Sequence, residues 1–388
     1  MSTSATSASA KPAKAAKQSS VGDVARGISI LLVLLVHCIV IFNYPGTVRH
    51  TDASAAEAGR IISTFIMPAF YFISGLSALG LASRSMRKIT TSALRFILLA
   101  FVTQLLAAPL LFIANPDMDW LTLSVKVIRP LLTGKDFILV VTWFFVSLAG
   151  VQVLAWLYLR QSLWLKLGVV ATVIAAYLMT ALTGKTWFMM HTWAIGLLFF
   201  LAGRAYAKRP VTNLKPLYAL ATSIACVLLL MLTYNLNKGC AFSPTEVCEI
   251  PSGYPRFYID VVYGQFGFMP YFLLCAIIGI IGLMTLSMCL SHTKYAPNIA
   301  RIGKNTLVLL MINGVFVALS PSLLADIIPT LPDTWILSVA LVAAQVALYP
   351  IMSKPINNLL HICSNWADQA THLVISNSPK PIQALLSK

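Results

Sequence analysis

Residues 26–37 decide the fold. They read Arg-Gly-Ile-Ser-Ile-Leu-Leu-Val-Leu-Leu-Val-His, ten uncharged residues between one cation and one imidazole. On a helix at ~100° per residue, the path from Arg26 to His37 turns by about 1100°, roughly three turns plus 20°, so both side chains share one face. They lie about 16 Å apart along the axis, near half of a ~30 Å hydrocarbon core. An ionisable group at that depth is costly, so a functional role for His37 is the default hypothesis.

The composition of the whole chain indicates a membrane protein. The 388 residues are 58% hydrophobic and only 10% charged, with a mean hydropathy of +0.82. A soluble protein carries about 25% charged residues and cannot hide this much apolar surface. The sequence therefore predicts a polytopic protein that crosses the bilayer several times.

Charged residues divide the chain into intervals long enough to span a bilayer as helices of about 20 residues. The intervals free of Asp, Glu, Lys and Arg are 27–48, 61–83, 96–116, 137–159, 167–184, 186–203, 216–237, 261–300, 305–325 and 334–353. The prediction is an all-α membrane helix bundle of about ten transmembrane helices.

The distribution of Lys and Arg predicts the orientation. If the N-terminus is cytoplasmic, most of the 28 basic residues fall on inner segments, as the positive-inside rule requires. Ten spans then place both termini in the cytoplasm. The net charge of +16 follows from these basic loops, and no nucleic-acid partner is needed to explain it.

The two ends of the chain are predicted to lie outside the bilayer. Residues 1–20 are rich in Ala, Ser, Thr and Lys without periodicity, and they predict a disordered cytoplasmic tail. Residues 21–355 form the transmembrane domain, and residues 356–388 form a cytoplasmic C-terminal tail. The sequence does not indicate an oligomeric state.

Any chemistry must come from residues in or beside the spans, because the loops are too short for a soluble catalytic domain. His37 and His191 are the titratable candidates within the spans. No Asp or Glu lies at mid-span, which weakens the hypothesis that the protein is a proton pump. An imidazole suits general-base work on a hydroxyl or thiol. The plainer interpretation of His37 is a hydrogen-bonded packing residue.

A basic cluster follows the second span. Arg84 and Arg87 are three residues apart, so they occupy neighbouring positions on a helix, at the same predicted inner surface as Arg26. Guanidinium groups bind phosphates bidentately, and these three arginines are candidates for a polyphosphate ligand. The alternative interpretation is that these arginines only anchor the helix ends at the cytoplasmic membrane surface.

Residues 67–75, Met-Pro-Ala-Phe-Tyr-Phe-Ile-Ser-Gly, form an aromatic-rich segment within the second span. Pro68 removes a backbone donor and is expected to kink the helix. Ser74 and Gly75 allow a neighbouring helix to approach closely.

Two cysteines, Cys240 and Cys248, share one predicted outer loop. In an oxidising compartment they can form a disulfide that closes this loop, and two free thiols are the alternative. No His or third Cys stands near them, so we expect no metal site.

Together these signals resemble the membrane acyltransferase-3 family, the ten-span enzymes that O-acylate glycans and some small molecules. The resemblance rests on the Arg26–His37 spacing, the Arg84–Arg87 pair and the Pro68–Gly75 segment. Two weaker motifs, Thr142-Trp-Phe-Phe145 and Ile302-Gly-Lys-Asn-Thr-Leu307, extend it over roughly residues 20–355. The first span is similar to the subgroup that O-acetylates sugars of exported polysaccharides.

The resemblance implies an O-acyltransferase that moves an acyl group, most simply acetyl, from cytoplasmic acyl-CoA to a hydroxyl of an exported or surface glycan. His37 would be the catalytic base or an acyl carrier, and Arg26, Arg84 and Arg87 would bind the phosphates of acetyl-CoA or another acyl-CoA. The expected location is the bacterial inner membrane. No metal cofactor is implied, and the residues that bind the acceptor are not indicated.

One departure and one alternative remain. Many members carry a His shortly after the Gly-x-x-Ser/Thr-Leu motif, where this chain has Asn313, so the group that orients His37 is not evident. A transporter or flippase of a glycan or lipid-linked sugar would also have many spans and a central polar site. It predicts internal repeat symmetry, which is not visible in the sequence.

Overall fold

The computed structural model describes residues 11–43, 53–114, 117–160, 162–211, 214–237, 259–262, 264–324 and 334–377. These residues form an all-α structure, as predicted, and no strand occurs among them. The α-helices are α1 (Lys11–Asn43), α2 (Ala53–Ser63), α3 (Ile66–Leu76), α4 (Met86–Ala114), α5 (Trp120–Thr133), α6 (Thr142–Tyr158), α7 (Leu163–Thr183), α8 (Trp193–Lys208), α9 (Pro216–Thr233), α10 (Met269–Leu290), α11 (Ala296–Lys304), α12 (Thr306–Leu324) and α13 (Thr334–Ser376).

Each of the ten apolar intervals contains a helix. Seven stretches of the described chain are long and apolar enough to cross a membrane, and α11 with α12 makes an eighth if the bent pair counts as one span. α6 has 17 residues and α8 has 16, so both are shorter. The multi-span membrane fold is confirmed, while the count of ten and the cytoplasmic termini stay predictions.

The first and last helices extend past the predicted spans. α1 begins at Lys11, so residues 11–20, assigned by sequence to the N-terminal tail, are helical. Lys, Ala and Gln favour helix, which lets the first span continue upstream. α13 runs through Pro350 and Pro355 to Ser376, so the start of the predicted C-terminal tail continues the last span.

The second span is broken where Pro68 predicts a kink. α2 ends at Ser63 and α3 begins at Ile66. Pro68 has no N–H to donate to the carbonyl of Thr64 four residues earlier, which weakens the helix at this point. Phe65, in the break, packs against α10, where a Cβ added at Gly279 would lie 2.2 Å from Phe65 Cγ.

Glycines bring two helix pairs into backbone contact. A Cβ at Gly75 of α3 would lie 2.0 Å from the carbonyl oxygen of Phe200 in α8, which confirms the close approach expected at this glycine. A Cβ at Gly303 of α11 would lie 1.9 Å from the carbonyl oxygen of Asp23 in α1. α11 meets α12 at an angle of 70° immediately after this contact.

Candidate active site

His37 is held by a chain of buried hydrogen bonds between three helices. Its Nδ1 pairs with Asn313 Oδ1 of α12. Asn313 Nδ2 donates to Gln345 Oε1 of α13 over 2.9 Å, and Gln345 Nε2 donates to Cys38 Sγ of α1 over 3.5 Å. Asn313, Gln345 and Cys38 are each fully buried. Asn313 is therefore the group that orients the His37 ring, which the sequence alone did not reveal.

The direction of these bonds sets the state of the His37 ring. Because Asn313 donates from Nδ2 to Gln345, its Oδ1 is the atom that faces His37, and an amide oxygen only accepts. His37 Nδ1 must therefore carry the proton, and Nε2 of the neutral ring keeps its lone pair. This tautomer is the one that a general base acting through Nε2 requires.

His37 lines a largely apolar cavity of about 240 Å³, which we call the His37 cavity. Its walls come from α1, from the broken second span, from the segment that begins α6, from α12, and from residues 259–262. The aromatic and sulfur-containing side chains that line it are Met67, Phe70, Trp143 and Phe144. Water is poorly accommodated beside such walls, which favours acyl transfer over hydrolysis.

The second-span and fourth-span motifs of the family resemblance meet at this cavity. Phe70 and Phe144 pack edge to face, with ring centroids 5.8 Å apart, and Trp143 packs against Phe144 at 5.9 Å. Behind them the hydroxyl of Tyr71 bonds Ser147 over 2.5 Å. The aromatic segment of the second span and the Trp-Phe segment of the fourth thus form one wall.

Asp260 is the acidic residue of the His37 cavity that sequence reasoning missed. Its Oδ1 accepts from the backbone N–H of Val262 over 2.9 Å, and its backbone pairs with Gln265. In the sequence it is only the charged residue before the long interval 261–300. That position gives no sign that residues 259–262 line the cavity beside His37.

Arg26 lies near the start of the apolar part of α1, facing the end of α3. Its Nη1 pairs with Asp23 Oδ1 over 2.8 Å, and its Nη2 donates to Ser77 Oγ directly after α3. Lys304 Nζ lies 3.9 Å from the other oxygen of Asp23. The structure therefore adds Asp23 and Lys304 to the environment of the first candidate arginine.

Arg84 and Arg87 lie at the same end of the bundle, where α3 is connected to α4. Both side chains are exposed, and the carbonyl of Arg84 accepts a hydrogen bond from Trp156 Nε1 over 2.9 Å. Ser77, the partner of Arg26, belongs to this same connection. All three candidate arginines therefore occupy one end of the bundle.

Arg204 of α8 is a further basic residue there that the sequence did not single out. Its Nε donates to the carbonyl of Ala78 over 3.1 Å, and its Nη2 to that of Leu79 over 3.3 Å. These bonds fix the start of the connection that carries Arg84.

The other predicted features lie elsewhere. His191 is buried in a short turn before α8, in a second cavity separate from that of His37. Cys240 and Cys248 lie outside the described residues, so their disulfide stays a prediction.

Comparison with known proteins identifies the family. A family model described as an acyltransferase domain, Acyl_transf_3, matches residues 23–351, which include His37, the arginine cluster and Asn313. Neither the curated proteins nor the solved structures gave a match. The chain therefore belongs to the acyltransferase-3 family of multi-pass membrane acyltransferases.

Proposed function

We propose that the protein transfers an acyl group, most simply acetyl, from cytoplasmic acyl-CoA to a hydroxyl of an exported or surface glycan in a bacterial inner membrane. The observation that carries this proposal is the hydrogen bond between His37 and Asn313 at the wall of the His37 cavity. It leaves a basic Nε2 where an acceptor hydroxyl can meet a thioester away from water.

The proposed reaction begins at His37. Nε2 takes the proton of the acceptor hydroxyl as its oxygen attacks the thioester carbonyl carbon. The C–S bond breaks, and the sulfur leaves as thiolate. The proton on Nε2 then passes to the sulfur, so the products are the ester and the free CoA thiol.

A second route uses His37 as the acyl carrier. Nε2 attacks the thioester carbonyl carbon, the C–S bond breaks, and the sulfur leaves as thiolate. The acceptor hydroxyl then attacks the acyl-imidazolium, the C–N bond breaks, and the hydroxyl proton passes to the thiolate. Both routes need the same tautomer, and the hydrogen bond to Asn313 supports both.

Donor binding is proposed at the arginine end of the bundle. Arg26, Arg84 and Arg87 would neutralise the phosphates of CoA, with the guanidinium groups bonding the phosphate oxygens. The pantetheine arm would cover the roughly 16 Å along α1 from Arg26 to His37. Asp23 offsets part of the charge of Arg26, and Lys304 adds a further cation beside it.

The direct test is transfer by the purified protein in lipid nanodiscs. We expect acetyl-CoA to release free thiol only when a surface glycan of the source cell is added, and the glycan to gain the mass of an acetyl group. Thiol release without added mass on the glycan would contradict the proposed acceptor. Movement of a glycan across proteoliposomes without either product would instead favour the transporter or flippase alternative.

A further inference from the structure

A second cavity, of about 200 Å³, lies between α7, the turn before α8 and residues 264–266. We call it the His191 cavity. Unlike the His37 cavity, it is rich in polar side chains, which are Lys135, Tyr177, Thr180, Thr186, His191 and Gln265. The volume is sufficient for several water molecules or a small polar group.

The end of α5, just before Lys135, and the segment just before His191 are joined at the edge of this cavity. The backbone N–H of Phe188 donates to the carbonyl of Leu132 over 2.8 Å, and the hydroxyl of Thr186 donates to the carbonyl of Thr133. These bonds fix the spacing between the end of α5 and the turn before α8.

Three non-glycine residues beside Lys135 and His191 have left-handed backbone conformations. The φ angles are 61° at Asp136, 46° at Phe188 and 57° at Met189. Such conformations are costly for residues with a side chain, and they persist where the surrounding structure enforces them, frequently at binding sites. Asp136 directly follows Lys135 in the chain, and Met189 lies two residues before His191.

His191 presents a buried hydrogen-bond acceptor. Its Nε2 lies 2.8 Å from the carbonyl oxygen of Val262, which only accepts, so Nε2 carries the ring proton. Burial disfavours the charged form of this imidazole, and so does the nearby Lys135 charge. The ring is therefore neutral and Nδ1 holds a lone pair.

No described residue donates to His191 Nδ1, although the residue is only 1% exposed. A buried acceptor without a donor is unfavourable, so a hydroxyl or another donor is needed there. A carboxylate or a fully ionised phosphate does not suit this atom, because each of them only accepts.

Lys135 supplies the complementary donor. Its Nζ bonds the carbonyl of Gly184 over 2.7 Å, and an ammonium group has two further N–H bonds to offer. Tyr177 and Phe266 pack with ring centroids 6.1 Å apart and add apolar surface. One acceptor, one cationic donor and aromatic rings in a small cavity match the hydroxyls and C–H face of a sugar.

One folded-back segment contributes to both cavities. Asp260 and Gln265 exchange backbone hydrogen bonds of 3.0 and 2.8 Å, which close the turn. Residues 259–262 line the His37 cavity, and Gly264, Gln265 and Phe266 line the His191 cavity. A ligand in the His191 cavity therefore lies beside the cavity that holds His37.

We propose that the His191 cavity binds one sugar unit of the acceptor glycan, with one hydroxyl donating to His191 Nδ1 and a second accepting from Lys135. This inference rests on the proposed function, because it gives the acceptor side of the same transfer. It assigns recognition to hydroxyl groups of a neutral sugar.

The test is binding of simple sugars by the full chain in lipid nanodiscs, followed by saturation-transfer NMR without acyl-CoA. The probes are the methyl glycosides of glucose, galactose, mannose and N-acetylglucosamine, with inorganic phosphate as the anionic probe. We expect at least one glycoside to bind and phosphate not to displace it. Lys135→Met should raise the Kd of that glycoside about tenfold, as expected for loss of a charge-assisted hydrogen bond.

Matched variants separate binding from folding. Lys185→Met removes an exposed neighbouring lysine outside the cavity and should leave the Kd unchanged. Gln265→Leu alters the cavity while keeping the backbone pairing of the turn, and it should also weaken binding. If no glycoside binds, if phosphate displaces the glycoside, or if neither cavity variant changes the Kd, the inference is wrong.

The same measurement distinguishes this inference from the proposed function. His37→Ala should abolish transfer but keep glycoside binding, because His37 lies in the other cavity. Glycoside binding in a protein that never acylates a glycan would refute the proposed function alone. Glycan acylation that is insensitive to Lys135→Met and Gln265→Leu would refute this inference alone.

Discussion

Asn313 stands where many relatives are expected to carry a second histidine, and in this protein it bonds the first one. A neutral amide fixes the ring orientation and the tautomer of His37 without supplying a countercharge. Gln345 in turn fixes the amide. Asn313 and Gln345 are therefore positioning residues for the proposed base.

We predict that Asn313→Ala lowers kcat for acyl transfer roughly ten- to 100-fold, because His37 Nδ1 and Gln345 lose a buried partner. The KM for acyl-CoA should stay unchanged, since the donor phosphates bind elsewhere. Steady-state kinetics of the purified protein measure both values. Asn298→Ala, an exposed amide on α11, is the control and should behave as wild type. An unchanged kcat in Asn313→Ala would show that the bond does not matter.

Arg26→Gln is predicted to raise the KM for acyl-CoA about tenfold or more, because a charge-assisted contact to phosphate is lost. The double variant Asp23→Asn/Arg26→Gln distinguishes phosphate binding by Arg26 from a structural role of this residue. It also removes the carboxylate that Arg26 neutralises. If the double variant regains the wild-type KM, the role of Arg26 is structural. Arg209→Gln, at an exposed arginine after α8, is the control.

The sequence indicates some of these contacts and not others. Helical geometry alone places Arg26 and His37 on one face, because both lie in one helix. Asn313 is 276 residues away from His37, and hydropathy does not reveal which spans are neighbours. Asp260 reaches the His37 cavity through tertiary contacts, so its place there could not be read from its neighbours in the chain.

At the scale of helices, glycine contacts set how α11 and α1 cross. We predict that Gly303→Val destabilises the protein by about 1–3 kcal/mol, because its Cβ would overlap the carbonyl oxygen of Asp23. Gly168→Ala in α7 is the control, since a Cβ there meets nothing within 4 Å and alanine favours helix. Thermal unfolding in detergent measures both. A Gly303→Val protein as stable as wild type would contradict the backbone contact.

Acid is predicted to loosen the start of α5. Asp119 accepts from the backbone N–H of Thr122 over 2.7 Å and from its hydroxyl over 2.9 Å, and these bonds lower the pKa of Asp119. The carboxylate cap stabilises the helix above the ordinary carboxyl pKa and is lost as the pH falls through the lowered value. The protection of the amides of residues 120–125 against hydrogen exchange, relative to the intrinsic rate at each pH, should therefore fall in acid.

Asp119→Asn provides the control for this prediction. Asparagine also caps helices but does not titrate over this range. The variant should lose the acid-dependent change in exchange. The same acid response in both proteins would show that another group is responsible.

The helices themselves were largely predictable, because charge-free intervals locate apolar segments directly. The break between α2 and α3 could be expected from Pro68. The short helix α11 was not predicted, since it overlaps the end of the apolar interval 261–300 and is ordered by contacts of Gly27 and Gly303 with neighbouring backbone. α5 was missed because it is too short and amphipathic to register as a span.

On the scale of the whole molecule, three sites follow one another along the bundle. The arginines lie at one end, and Arg26 precedes His37 in α1 by about 16 Å. Residues 259–262 line the His37 cavity, and residues 264–266 line the His191 cavity. This order matches a donor that enters from one face and an acceptor that arrives from the other.

The most direct test of this account is the single-turnover rate of acyl transfer from acetyl-CoA to a surface glycan by His37→Gln. We predict a loss of at least about 100-fold, because the variant has no basic nitrogen to accept the hydroxyl proton or the acyl group. The Kd for CoA and the unfolding temperature should remain those of wild type. A His37→Gln protein that esterifies the glycan at the wild-type rate would contradict the account.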